Sequence, residues 1–475
     1  MRNVILKAAS TLLLACWAMM PVYGQTTSWN GGVGSGDWEV ASNWSGGIPD
    51  STKNTSISTI TASQTVSITA GTSAETNNFT LQFGKLDIAD TASLVINGDA
   101  SLTSSSSVSG DGDLTVLGNT TWDLFNISGN GSLTFESTLN LNRLVSGTDI
   151  ANRTVFTNGA TNWNDDQSIF ALTDVEWNNS GVMTRNLGGT FADRNFQLGS
   201  GSVFNNSGEF IKTGDNANFQ VIGGTFNNSG TVSSSGGGIE FTGAFNNTLG
   251  SLVIADGGNV TFSGDFTNDG GTLRAVGGNS ISLDAYTHND GVLMVDGGSI
   301  GANAMNIVAG GVAGVGTLVS NVDMASGTYL APGNSAGELT IDGNLSMAGG
   351  SQFLLELGGT SVGEFDVLNV LGDVNIGDDA ELLVSFIDGF TPTVGNTFEF
   401  LNFDGSAVGE NWVVTFDTPG YMGDVILNGG SGSSYSLSIS AVPEPSSIAL
   451  LVGIAGTLEF RRRRRAKSSP VVQLA

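Results

Sequence analysis

Residues 257–283 read Gly257-Gly258-Asn259-Val260-Thr261-Phe262-Ser263-Gly264-Asp265-Phe266-Thr267-Asn268-Asp269-Gly270-Gly271-Thr272-Leu273-Arg274-Ala275-Val276-Gly277-Gly278-Asn279-Ser280-Ile281-Ser282-Leu283. The stretch runs through one motif and starts it again. Gly-Gly pairs recur at a constant interval, at Gly237-Gly238, Gly257-Gly258, Gly277-Gly278 and Gly297-Gly298, each soon followed by a β-branched residue: Ile239, Val260, Ile281 and Ile300. Aromatic-led segments keep a similar step: Trp177-Asn178-Asn179-Ser180-Gly181, Phe204-Asn205-Asn206-Ser207-Gly208, Phe226-Asn227-Asn228-Ser229-Gly230, Phe245-Asn246-Asn247, Phe266-Thr267-Asn268-Asp269-Gly270 and Tyr286-Thr287-His288-Asn289-Asp290-Gly291. The step is longest from Trp177 to Phe204 and nearly even from Phe226 onward. A period of roughly 20 residues is the mark of a β-helix or comparable β-solenoid.

Working outward, each repeat holds short alternating runs such as Val260-Thr261-Phe262 and Gly271-Thr272-Leu273. Period-2 alternation puts the apolar positions inward and Ser, Thr and Asn outward. Gly-Gly and Asn-Gly corners supply positive φ, and the aromatic-led segments read as turns whose Asn side chains ladder from coil to coil. No proline stands between Pro49 and Pro332, as uninterrupted strand ladders require. The expected fold is therefore all-β: a right-handed β-helix or β-solenoid with a C-terminal β-rich cap and a short C-terminal transmembrane helix. The expected boundaries are a signal peptide at 1–24, a Trp-rich opening segment at 25–59, the solenoid at 60–325, the cap at 326–441, a membrane-directed segment at 442–467 and a tail at 468–475.

Composition removes several chemistries. The chain of 475 residues has one Cys and one His, which excludes an internal disulfide framework, a Cys/His zinc site and an HExxH metal helix. Between residues 25 and 442 lie eight of the 16 basic residues and 42 of the 44 acidic ones. A stretch so acidic does not bind nucleic acid.

Both ends depart from this composition. Arg2 and Lys7 precede an apolar run, Ala8 to Met20, and Val22-Tyr23-Gly24 offers a cleavage site before Gln25, as in a secretory signal peptide. At the other end Val442-Pro443-Glu444-Pro445 leads into the apolar run Ser446 to Phe460 and then Arg461, Arg462, Arg463, Arg464 and Arg465. Arginines at that place retain the segment on the cytoplasmic side, and everything before Ser446 is expected across the membrane. As a helix the run rises about 22 Å, short of the ~30 Å hydrocarbon layer, so it suits temporary retention better than a permanent anchor.

This ordered set resembles the PEP-CTERM sorting signal of Gram-negative bacteria. The resemblance covers residues 442–467 and implies recognition by exosortase, a membrane transpeptidase-like enzyme, in organisms that make exopolysaccharide and biofilm. The partners it implies are exosortase and signal peptidase during export, transient anchoring in the inner membrane, and exopolysaccharide. The expected location is the cell envelope, the cell surface or the medium after C-terminal processing. The Trp-rich opening and the segment Leu330-Ala331-Pro332-Gly333-Asn334-Ser335-Ala336-Gly337 resemble autotransporter passenger regions. The stretch from Pro443 to Ala475 is too short for a membrane barrel.

No catalytic residue is assigned. Two GxSxG matches, at Ser299 and Ser335, lack the strand-turn-helix context of a nucleophile elbow, and the sole His288 precedes both serines and reads as a loop substitution. Pectate-lyase-like enzymes use the same scaffold with basic residues beside acidic calcium ligands, whereas the basic residues here are scattered: Lys53, Lys85, Arg143, Arg153, Arg185, Arg194, Lys212 and Arg274. No cofactor or tight metal site is expected. Asp256 and Asp296 stand at corners two repeats apart and allow only weak surface calcium. Trp29, Trp38 and Trp44 cap the first coil or, in the alternative, stack a glycan. These features together describe an exported, non-enzymatic surface or matrix protein; the alternatives are a polysaccharide lyase or hydrolase and a carbohydrate-binding protein.

Overall fold

The structure, a computed structural model, describes residues 24–30, 34–58, 61, 63–123, 126–142, 148–163, 170–187, 195–199, 201–214, 218–429 and 433–442. These residues form parallel strands and almost no helix: the one helical segment is a single 3₁₀ turn, Ala41–Asn43. The chain divides into two compact units, Met1–Phe226 and Asn227–Ala475.

In the first unit the stack begins earlier than the expected boundary at residue 60. Strand Gln25–Ser28 pairs in parallel with Lys53–Ile57, which pairs with Phe79–Ile88, so the Trp-rich segment is itself a coil. From there Leu81, Leu102, Trp122, Leu141 and Trp163 occupy one inward column, each directly over the last and none more than 1% exposed. The column then changes chemistry: Arg185 lies over Trp163 and Lys212 over Arg185, both fully buried. The basic residues that look scattered along the chain are thus partly gathered inside it. Arg185 carries its guanidinium 4.5 Å from the Trp163 ring centre and donates from Nη1 to the Trp163 carbonyl at 3.3 Å, a contact that recovers part of the cost of burying a cation.

In the second unit a corresponding column runs Val253, Leu273, Leu293, Val312, Leu330, Phe353 and Leu382. All seven are buried. Parallel pairing therefore continues well beyond the expected solenoid end at 325, reaching Trp412–Phe416 over Ala380–Phe386. What widens is the coil: the chain makes one winding between Leu273 and Leu293, whereas the winding that carries it from Leu382 to Val414 is half as long again. The cap is smaller than expected. It consists of strand Ser433–Ala441, which runs antiparallel to both Thr397–Phe403 and Met422–Asn428.

The corners follow the glycine reading. The first residue of each Gly-Gly pair has positive φ: 65° at Gly237, 93° at Gly257, 58° at Gly277 and 79° at Gly297. Other corner glycines are required by closeness instead. A Cβ on Gly181 would meet the Gly159 carbonyl oxygen at 1.9 Å, and one on Gly208 the Gly181 oxygen at 2.0 Å.

The aromatic-led segments are strands rather than turns, with the turn falling after them. Strand Val203–Asn206 holds Phe204 and Asn206 inward and Asn205 outward. Both asparagines ladder. Inside, Asn179 Nδ2 donates to Asn206 Oδ1 at 2.8 Å, and in the second unit Asn228 donates to Asn247 at 2.9 Å and Asn247 to Asn268 at 2.8 Å. Outside, Asn205 donates to Asn178 at 2.9 Å and Asn246 to Asn227 at 2.8 Å. Inward Asn thus departs from the expected outward placement, and it does so because a column of amides satisfies itself where one amide alone is costly.

Candidate functional site

Position 288 continues the inner amide column. His288 stands in register over Asn268 and is 2% exposed, so the expected loop substitution is instead a core residue. The Tyr286 hydroxyl bonds to Nδ1 at 2.6 Å, and Nε2 donates to the Ala309 carbonyl at 2.9 Å. Burial lowers the imidazole pKa, partly offset by the Ala309 bond and the Asp290 charge. Both ring nitrogens are engaged in holding the coil, and neither faces a serine.

Of the two GxSxG serines, one lies in a strand and the other in a loop. Ser299 lies within strand Ser280–Ala302. Ser335 has a φ of 74° in the loop that follows Pro332, with Gly333 at 98°. That loop is gripped by a residue the sequence reading passed over. Asp366, 1% exposed, accepts from the Gly337 N–H at 3.0 Å and from the Glu356 N–H at 2.8 Å. Burial raises its carboxyl to about 7, against the pull of those two bonds and with help from the Glu356 charge. The only sequence signal for it is its position between Phe365 and the apolar pair Val367-Leu368.

Trp29, Trp38 and Trp44 come together as a cluster, with ring centres 4.9 Å (Trp29 and Trp44) and 4.8 Å (Trp38 and Trp44) apart in edge-on arrangements. Their exposures are 1%, 1% and 4%. The rings fill the first coil's core, and the glycan-stacking alternative is corrected on that ground: no ring face is open to a sugar. Beside them lies a surface cleft of about 310 Å³ lined by Trp38, Glu39, Ile48, Pro49, Asp50 and the strand edge Thr72 to Glu75. Burial works to raise the Glu39 carboxyl, but bonds from the Thr69 and Thr72 segment outweigh it and leave it below its usual range. Bonds from Lys53 and Thr52 hold Asp50 down to about 2. Charged carboxylates of this kind accept hydrogen bonds from hydroxyls and are poor proton donors near neutral pH.

Outside the core, the strands present registered polar columns. Ser101, Thr121, Asn140, Asn162 and Thr184 succeed one another on one face of the first unit, with Asn162 donating to Asn140 at 3.0 Å. Corner carboxylates serve the next coil: Asp99 accepts from the Asn119 N–H and Asp111 from the Asn130 N–H, both at 2.8 Å. Asp296 pairs with Arg274, and among the described residues no group of three His, Cys, Asp or Glu side chains is placed to hold a metal ion.

Val442 closes the described chain. Pro443, Glu444, Pro445 and Arg461 to Arg465 lie outside the described residues, as do residues 1–23 of the expected signal peptide and the expected transmembrane run. Among the described residues no helix is long and apolar enough to cross a membrane. No protein-family model matches the chain, and neither does any curated protein.

Proposed function

We propose that the chain is an exported, non-enzymatic protein of the cell surface or extracellular matrix, delivered through a PEP-CTERM-type signal and serving a structural or adhesive role in exopolysaccharide. The observation that carries this reading is the registered outward column Ser101, Thr121, Asn140, Asn162 and Thr184. A parallel stack spaces such groups about 4.8 Å apart, which gives a repeating polymer a repeating set of donors and acceptors. The fold supports a surface or polysaccharide-related role in general terms. The order of motif, apolar run and arginines in residues 442–465 supports delivery.

A second reading, action on polysaccharide, draws on the cleft beside Glu39, Asp50 and Glu75. A glycosidase pair needs one carboxyl kept protonated, and the lowered Glu39 and Asp50 favour binding over cleavage. Incubating the purified protein with acidic and neutral polysaccharides, with and without calcium, separates the two. Retention without new reducing or unsaturated ends is the expected result; such ends would establish an enzyme. Mass spectrometry of the protein recovered from the cell exterior tests delivery, and a chain still ending at Ala475 would overturn the sorting step.

A further inference from the structure

The core of the second unit is closed as far as Ala380, Leu382 and Val384, none of which is exposed. One coil further, Trp412, Val414 and Phe416 stand in register on those three residues and are only half-buried. Strand Met422–Asn428 borders the same surface: its inward residues Val425 and Leu427, paired with the buried Leu437 and Tyr435, are only half-buried. The first coil of the other unit, by contrast, is filled by three buried tryptophans. An apolar core end of this kind is stabilised by whatever removes it from water.

We infer that residues 446–460 of the same chain cover this end face when no membrane is present. Proximity is the first argument. Strand Ser433–Ala441 pairs directly with Met422–Asn428, and the apolar run begins at Ser446, only a few positions beyond a strand that already borders the face. Length is the second: the run from Ser446 to Phe460 falls short of the ~20 residues that a bilayer span needs. Charge is the third. The exposed carboxylates Glu410 and Asp417 flank strand Trp412–Phe416, and the run is followed by Arg461 to Arg465 and Lys467, six of the chain's 16 basic residues. The inference concerns the chain in plain buffer and does not rest on the sorting reading.

Hydrogen exchange on the full chain, free of detergent, tests it. Replacing Leu450, Leu451 and Ile454 with Asp is expected to speed exchange in 412–416 and 422–428 about tenfold or more, with 272–275 and 292–295 unchanged. A second variant, Glu410→Lys with Asp417→Lys, leaves the apolar run intact and is expected to speed the same two strands by a smaller factor. Unchanged exchange in both variants would overturn the inference. Protection that rises with protein concentration, together with a dimer in light scattering, would replace the tail by a second copy. Protection seen only with lipid vesicles would assign the run to the membrane alone. A failure of sorting in cells leaves all of these rates as they are.

Discussion

Asn247 and Asn268 hold the same inward position on successive coils, and the Nδ2 of the first donates to the Oδ1 of the second at 2.8 Å with neither side chain exposed. Asn247 also accepts from Asn228 Nδ2 and from the Ser251 hydroxyl. Replacing it with Leu preserves volume but leaves three buried polar groups without this partner. Each such group costs about 1–3 kcal/mol, so Asn247→Leu is expected to lose about 3 kcal/mol or more. The double variant with Asn268→Leu should fall short of the summed single losses, because one shared bond is counted twice. Urea midpoints for the three variants measure both quantities.

The Asp366 carboxyl makes stability depend on pH. Its folded value of about 7 lies above the usual 3.8, so the folded chain keeps a proton that the unfolded chain releases between those two values. Stability from this group is present at low pH and is lost as pH rises towards 7. Thermal melts between pH 4 and pH 8 should show that decline, and Asp366→Asn should remove its contribution. A wild-type slope identical to that of the variant would refute the assignment.

His288 works in the opposite sense. Its folded value lies below the usual 6.5 because it is buried, so its contribution is present above that pH and is lost as pH falls beneath it. With one His in the chain, a single imidazole signal reports the titration directly by NMR. The expected resonances are those of the neutral ring protonated at Nε2, persisting below pH 6.5. His288→Asn, which extends the amide column from Asn268, should cost less than His288→Leu.

Arg153 ties coils together through their carbonyls. Nη1 donates to Gly112 at 2.9 Å, and Nη2 donates to Gly110 at 2.6 Å and Ser128 at 3.0 Å. An ammonium lacks the planar fork that reaches all three. Arg153→Lys is therefore expected to cost about 2 kcal/mol and Arg153→Leu more, since three buried carbonyls lose a charged donor. Chemical denaturation measures the difference.

Gly181→Ala would bring a methyl to 1.9 Å from the Gly159 carbonyl oxygen. Backbone cannot yield there without parting two coils, so the loss should reach the upper end of the roughly 1–3 kcal/mol typical of overpacking. Gly250→Ala meets nothing within 4 Å but sits at a φ of 80°, so its smaller loss separates strain from collision.

The repeat between residues 237 and 300 was readable because Gly-Gly corners and inward aromatics recur at nearly constant interval, and the coils there obey that interval. Farther along, the short winding from Leu273 to Leu293 gives way to the long one from Leu382 to Val414, and strands with no fixed period read as a separate cap although they pair in parallel. The Trp cluster was visible but its direction was not, since alternation in Trp29, Trp38 and Trp44 is broken by the turns between them. Burial of Arg153, Arg185 and Lys212 was illegible because it follows from register: Arg185 is inside only because Trp163 lies beneath it. Asp366 was missed for a similar reason, its partners at Gly337 and Glu356 being distant in sequence.

Register has a consequence for how such a chain tolerates change in length. A deletion of a single residue inside strand Val260–Val276 would turn its inward set toward water and bring Thr, Asp and Arg into the interior. Losing residues 259–279 would instead join Gly258 to Ser280 and set Ile281 where Val260 had been, above Ile239. The natural increment of insertion and deletion is one whole winding, so variants of this chain should differ by complete coils at the glycine corners and hardly at all by single residues within strands.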